Sequence, residues 1–145
     1  MESTTFNLKS FADTAELEAE TGKVTRTPRI ISHRNISIVY IDFSGLRKEE
    51  EIYDAMDNAQ RFVRSHYSKS LYTLTNLSGM HFNTDVYSRF VEYAKGNTPY
   101  VKASAVVGMM GLMQIFYNSF TRLTGRMVRA CTTELEAKEY LASIL

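Results

Sequence analysis

The stretch "ASAVVGMMGLMQIFYNSFT", Ala103 to Thr121, runs nineteen residues without a formal charge. A membrane-crossing helix needs roughly 20 mostly apolar residues, so the reading of this stretch decides between a chain held in lipid and one folded in water. Ser104, Gln114, Asn118, Ser119 and Thr121 interrupt the run, and Gly108 and Gly111 divide it. Two different periods lie on either side of the division. Tyr100 to Val107 is rich in β-forming residues, whereas Met109, Leu112, Met113, Phe116, Phe120 and Leu123 recur at helical spacing. The stretch therefore reads as a strand, a glycine turn and an amphipathic helix over 109–123, with Met110, Ile115 and Tyr117 outside the main apolar stripe. No membrane span is expected.

The rest of the chain fits a water-soluble domain. At 145 residues it is the size of one ordinary domain, long enough to bury a core without disulfides or metals. Its hydrophobic fraction of 44%, charged fraction of 23% and net charge of +1 provide no field that would gather nucleic acid or acidic membranes. A single cysteine, Cys131, has no partner for an internal disulfide and no neighbours at zinc-ligand spacing. The N-terminal residues show neither a basic start nor an apolar block. A cytoplasmic setting is the expectation. Residues 1–27 are polar and rich in Thr and Glu, and read as a mobile arm with one short helix at Ala12 to Glu20; residues 28–145 read as the domain.

Within that domain, "RIIS" and "ISIVYIDF" read as two strands joined by a hairpin at "HRN". The second is apolar on both faces, as a strand inside a sheet must be. Next, Ile52, Ala55, Met56, Ala59, Phe62 and Val63 form one face of a surface helix, and Glu49, Glu50 and Glu51 fall where its dipole favours negative charge. "SLYTLTNL" reads as a third strand, followed by the loop "SGMHF" and a helix from about Asn83 that Gly96 stops. A short fifth strand, "MVRAC", leads into a last helix whose Thr133 and Glu136 have capping-box spacing, with Leu135, Leu141 and Ile144 on its buried side. The order β-β-α-β-α-β-α-β-α predicts an α/β domain whose central sheet is mainly parallel, with an antiparallel strand at its N-terminal hairpin.

Chemistry-bearing residues are sparse. His33, His66 and His81 fall on separate segments with no metal spacing, so neither a metal nor a cofactor is expected. Cys131 near a helix start admits an activated thiol or a structural one, and the second is favoured because no histidine is near it in sequence. Gly108 and Gly111 sit where a phosphate loop would, but without the lysine or the further glycines of such motifs, so close packing is the better account. The loop "NLSGMHFNTDVY" is more promising: Ser78, Asn83, Thr84 and Asp85 lie at the carboxyl end of a central strand, where open α/β sheets place their sites. A helix cap made by Asn83 or Thr84 accounts for the same residues.

This arrangement resembles the STAS-like family, which includes bacterial anti-sigma-factor antagonists. The resemblance covers roughly Arg29 to Leu145 and rests on the hairpin, the strand "SLYTLTNL", the polar loop opening into "FNTDVY", and the closing helix. In phosphorylatable members an Asp-Ser-Ser/Thr-Gly sequence opens the helix after this strand. Laid on this chain, its positions fall on Asn83, Thr84, Asp85 and Val86, so only Thr84 keeps a hydroxyl and Asp85 brings a fixed negative charge. The resemblance implies a non-enzymatic module of bacterial signalling that binds a protein partner, such as a kinase or an anti-sigma-like protein, through Ser78, Asn83, Thr84 and Asp85 and without a conventional phospho-switch. The alternative is a carrier for a small molecule or lipid, using Met109, Met110, Met113 and Tyr117 on the Met-rich helix, a surface that also suits a partner or a homodimer.

Overall fold

The computed structural model describes residues 26–144; the arm as far as residue 25, its short helix included, lies outside the described residues. Arg26 is already tied down, donating to the carbonyls of Asp42 and Ser44 at 3.1 and 3.0 Å while Asn58 donates to its own carbonyl at 2.8 Å.

The hairpin is formed by β1 (Arg29–His33) and β2 (Ile36–Asp42), which pair antiparallel. Its turn is only two residues, Arg34 and Asn35, with φ of 46° and 70°. Left-handed φ at both positions matches the twist of the flanking strands, and an Asn tolerates it well. His33 therefore ends the first strand, and its ring and the Arg34 guanidinium both meet the Glu139 carboxylate, at 2.9 and 2.8 Å. Three parallel strands extend the sheet: β3 (Leu71–Asn76), β4 (Val101–Val107) and β5 (Val128–Cys131), in the order β1-β2-β3-β4-β5. The helices are α1 (Glu49–Arg64), α2 (Thr84–Asn97), α3 (Leu112–Thr124) and α4 (Glu134–Ala142).

Side-chain alternation along the strands divides the core in two. Val39, Ile41 and Phe43 point to the face covered by α1 and α2, where Ile52, Met56, Val63 and Val86 are fully buried. Ile38, Tyr40, Leu74, Ala105 and Val107 point to the opposite face, which α4 covers with Ala137 and Leu141. Both faces of β2 are thus apolar for the reason the sequence suggested. Phe43 packs edge-on against Phe90 and Tyr93, at centroid distances of 5.2 and 6.2 Å, joining β2 to α2.

The uncharged stretch resolves as expected into strand and helix, and no helix among the described residues is long and apolar enough to cross a membrane. Gly108 has φ +82°, and a Cβ there would lie 2.4 Å from the Ser78 backbone nitrogen. Close packing, not phosphate binding, accounts for this glycine. Gly96 departs from expectation: α2 runs through it to Asn97. A Cβ at Gly96 would lie 2.0 Å from the Arg64 guanidinium, so the residue makes room for a side chain and does not stop the helix. Two further expectations fail at helix surfaces. Leu135 is 62% exposed, Ala137 taking its place beside Leu141, and Leu112 and Leu123, in the first and last turns of α3, are 44% and 52% exposed.

Gly108→Ala is expected to destabilise the domain by at least about 1–3 kcal/mol, the usual cost of a non-glycine residue in a strained backbone region. Besides the Ser78 hydroxyl, the obstructing atoms are the Ser78 backbone nitrogen and Cα, which cannot rotate away. Chemical denaturation checks this, and a midpoint equal to the wild type's would show that the β4–α3 connection can be rebuilt without cost.

Candidate functional site

The structure separates the predicted loop residues. Asn83 is the cap of α2: its side-chain oxygen accepts from the Val86 amide at 2.9 Å, and its amide donates to Glu49 at 2.6 Å. Glu49 also accepts from the Tyr53 hydroxyl at 3.2 Å and lies 3.7 Å from the His81 ring. The Asn83 bond above all, then Tyr53 and His81, holds the Glu49 carboxyl below its ordinary range. Thr84 and Asp85 are exposed in the first turn of α2. Ser78 faces elsewhere, against Gly108 and a groove at the carboxyl ends of β3, β4 and β5.

That groove, with a volume of about 710 Å³, is lined by Asn76, Ser78, Met110, Gln114, Cys131 and Glu134 among others. Two of its lining residues are bonded to Tyr40, whose hydroxyl donates to Glu134 at 2.6 Å and accepts from Asn76 at 3.0 Å. Burial first, then the carboxylate, pushes the Tyr40 phenol up to about 12. Cys131 is buried, and that burial, with Glu136 second, raises its thiol above the ordinary value. This is the environment of a structural cysteine.

A second space, invisible to motif reading, lies between the sheet and helices α2 and α3. It has a volume of about 110 Å³. Its floor is the α2-facing side of β3 and β4, where Thr73, Thr75, Ser104 and Val106 are short. Its roof is aromatic: Phe82, Tyr87 and Phe116 cluster, with Tyr87 and Phe116 centroids 4.5 Å apart and Phe82 and Phe116 6.0 Å apart. Met109, Met113, Tyr117 and Phe120 complete the α3 wall. Tyr117 was expected outside the apolar stripe, but it faces inward and donates its hydroxyl to the Val128 carbonyl. Of the Met-rich surface proposed from sequence, Met109, Met113 and Tyr117 line this cavity, while Met110 is 70% exposed and borders only the groove. Met109 and Tyr117 border both spaces and form the partition between them.

Two buried hydroxyls in the lining, those of Tyr87 and Tyr93, have no hydrogen-bond partner among the described residues. Asn97 is close enough to Tyr93 to weigh on its ionisation without meeting hydrogen-bond geometry. Unsatisfied groups of this kind are rare in folded proteins and cost roughly 1–3 kcal/mol each. No group of His, Cys, Asp and Glu side chains placed to hold a metal ion occurs among the described residues.

No family model matches the sequence, and neither does any curated protein. Among solved structures, an uncharacterised protein of the DUF3478 family from Shewanella loihica PV-4, described as having a SpoIIAA-like fold, superposes with a TM-score of 0.62. The match covers 81% of this chain and 94% of that one, at 10% sequence identity. The fold is SpoIIAA-like. This is the STAS-like fold that the element order resembled, and at that level of identity the likeness speaks for architecture alone. Within the SpoIIAA-like frame, Thr84 and Asp85 open the helix after β3, and the cavity lies behind the helix after β4.

Asn83→Ala is expected to cost about 0.5–2 kcal/mol through loss of the cap, and to alter the acid limb of stability. A carboxyl whose folded pKa is lowered contributes fully above its unfolded value, here near the ordinary 4.5, and loses that contribution as pH falls through the folded value. Melting temperatures between pH 6 and 3 measure this. If the variant falls as steeply with acid as the wild type, Asn83 does not hold Glu49.

Proposed function

We propose that the protein is a non-enzymatic binding module whose ligand is a small, largely apolar molecule held between the sheet and α3. The observation that supports this best is the cavity itself, with aromatic and methionine walls around two unsatisfied hydroxyls. Binding pockets combine apolar walls with a few convergent polar groups, whereas a core selected only for stability fills such space or pairs such groups. The volume is on the scale of an engineered cavity of about 150 Å³ that takes up benzene. Methionines at the partition suit a mouth that must change shape, since their unbranched side chains re-pack readily. The absence of a required nucleophile–base pair in the sequence reading is the reason for preferring binding over catalysis.

A second reading, binding of a protein partner in signalling, draws on the SpoIIAA-like fold and on Thr84. Because Asn83 supplies the cap, the exposed Thr84 hydroxyl has no hydrogen bond to the described residues. It is available for contact at the position that the STAS-like resemblance singles out, with Asp85 as a fixed charge beside it.

Titration with benzyl alcohol or hexan-1-ol, followed by calorimetry and thermal melts, is expected to give saturable binding and a raised melting temperature. Val106→Phe, placing a ring in the cavity from the sheet side, should abolish both effects in a folded protein. Wild-type protein indifferent to every small apolar compound would sink the reading. For the second reading, Thr84→Glu should leave the melting temperature nearly unchanged while reducing recovery of a partner from the native host; equal recovery would confine Thr84 to the surface.

A further inference from the structure

One end of the cavity is built differently from the rest. Arg126, in the segment between α3 and β5, lines it together with Tyr93, Asn97, Ser104 and Thr73. The last three are buried polar residues, and the Thr73 and Ser104 hydroxyls bond each other at 2.8 Å. The Arg126 guanidinium donates through Nη1 to the Ala94 carbonyl at 3.4 Å and through Nη2 to Ser104 Oγ. A guanidinium carries five N–H donors, so three remain without an acceptor among the described residues. No carboxylate among the described residues lies within ion-pair distance of it, although the domain forms such pairs elsewhere, as at Arg26–Asp42 and Arg34–Glu139. Arg126 and Tyr93 are close enough that each weighs on the other's ionisation. Burial keeps the Tyr93 phenol protonated, so it too offers an O–H donor with no acceptor among the described residues.

A cation that served only to cap the end of α2 would need no more than the Ala94 carbonyl. It would not need a buried, unpartnered phenol beside it, nor the bonded Thr73 and Ser104 hydroxyls beneath it where the rest of the cavity is mainly aromatic and aliphatic. Donors without acceptors, converging around one positive charge at the end of an apolar space, describe the complement of an oxyanion attached to an apolar body.

We infer that Arg126 and Tyr93 form a carboxylate-binding pole, and that the ligand is a small monocarboxylic acid whose apolar body lies between Phe82, Met113 and Phe116. This rests on the cavity reading above and narrows it. The volume of about 110 Å³ sets the body at roughly five to seven carbon atoms, on the scale of the cavity that accepts benzene. The acid binds as its anion: the guanidinium takes it through two N–H groups, the phenol donates a third bond, and no covalent step is involved.

The test uses matched pairs that differ only in the head: benzoate against benzyl alcohol and hexanoate against hexan-1-ol, titrated calorimetrically at pH 7.5 into the full chain. The wild type is expected to bind each acid anion roughly ten- to a hundredfold more tightly than its alcohol, the usual advantage of a charge-assisted pair. Arg126→Gln should remove that preference while leaving alcohol binding unchanged. Tyr93→Phe guards against a variant that misfolds. Deleting an unsatisfied buried hydroxyl should keep or raise the melting temperature, yet weaken the acids several-fold and the alcohols clearly less, so that the preference for the acid shrinks. If acids and alcohols bind the wild type equally, the pole is refuted and the apolar cavity stands. If alcohols bind and acids do not, the guanidinium serves structure alone. If neither class binds, both readings fall together.

Discussion

The contact on which the cavity depends is the aromatic cluster of Phe82, Tyr87 and Phe116. It fastens α3 to α2 and to the loop before α2, so α3 is supported chiefly by another helix and less by the sheet beneath it. A helix laid directly on β3 and β4 would settle to the usual packing distance over Thr73, Thr75, Ser104 and Val106 and leave no space. Held by large rings at its inner face, it cannot descend onto such short side chains. Thr75 and Val106 in mid-sheet consequently remain only half-buried, beneath two helices. The void is a result of unequal side-chain lengths on facing surfaces, and interiors seldom tolerate that without a reason.

The two ends of α2 are fixed by different means, and this sets the frame in which α3 is suspended. At the N-terminal end Asn83 joins the cap to Glu49 on α1, and at the other end the Arg64 side chain of α1 crosses Gly96 to donate to Asn97 at 3.1 Å. Asn97 is thereby oriented by a residue outside the cavity while it lines the inside. The β4–α3 connection is similarly fixed, Gly108 lying against the Ser78 backbone. Rigid walls with one helix supported mainly by side-chain rings is an arrangement that allows entry without unfolding, because the least stable element opens first.

Much of the fold was legible because its signals are local. Alternation in "ISIVYIDF", the helical stripe of Ile52 to Val63, and the capping pair Thr133 and Glu136 each act within a few residues, and each appears as read: Thr133 Oγ1 accepts from the Glu136 amide at 3.1 Å. The failures are equally physical. Gly96 reads as a helix stop because glycine usually acts on its own backbone, but here it acts through Arg64, thirty-two positions away. Leu135 carried the right hydrophobicity on the wrong side of a nine-residue helix. The site was less legible still. Met109, Met113 and Tyr117 of the Met-rich helix line the cavity and Ser78 the neighbouring groove, but Arg126 and Tyr93 have no spacing relation, belong to no motif, and meet only because α2 and β5 flank the same gap. The one available signal was a lone arginine in "TGRMV", following a helix stop, and in a sequence it looks like any surface charge.

A cavity with unsatisfied donors is a local loss of stability that the rest of the core must offset. Phe43, Ile52, Leu46 and Val86, all essentially inaccessible to solvent, concentrate burial around α1 and α2, where each fully buried side chain contributes about 1.5–3 kcal/mol. The domain therefore has a dense half that specifies the SpoIIAA-like frame and a thin half that spends some of that stability on an open space. Such a division favours binding over chance imperfection, because a void arising by drift has no reason to collect a guanidinium, a phenol and three buried polar residues at one end while the other is walled chiefly by rings and methionines, with the Tyr87 hydroxyl as its one unsatisfied polar group among the described residues. Polarity sorted by position is what a ligand with two chemically distinct ends would require.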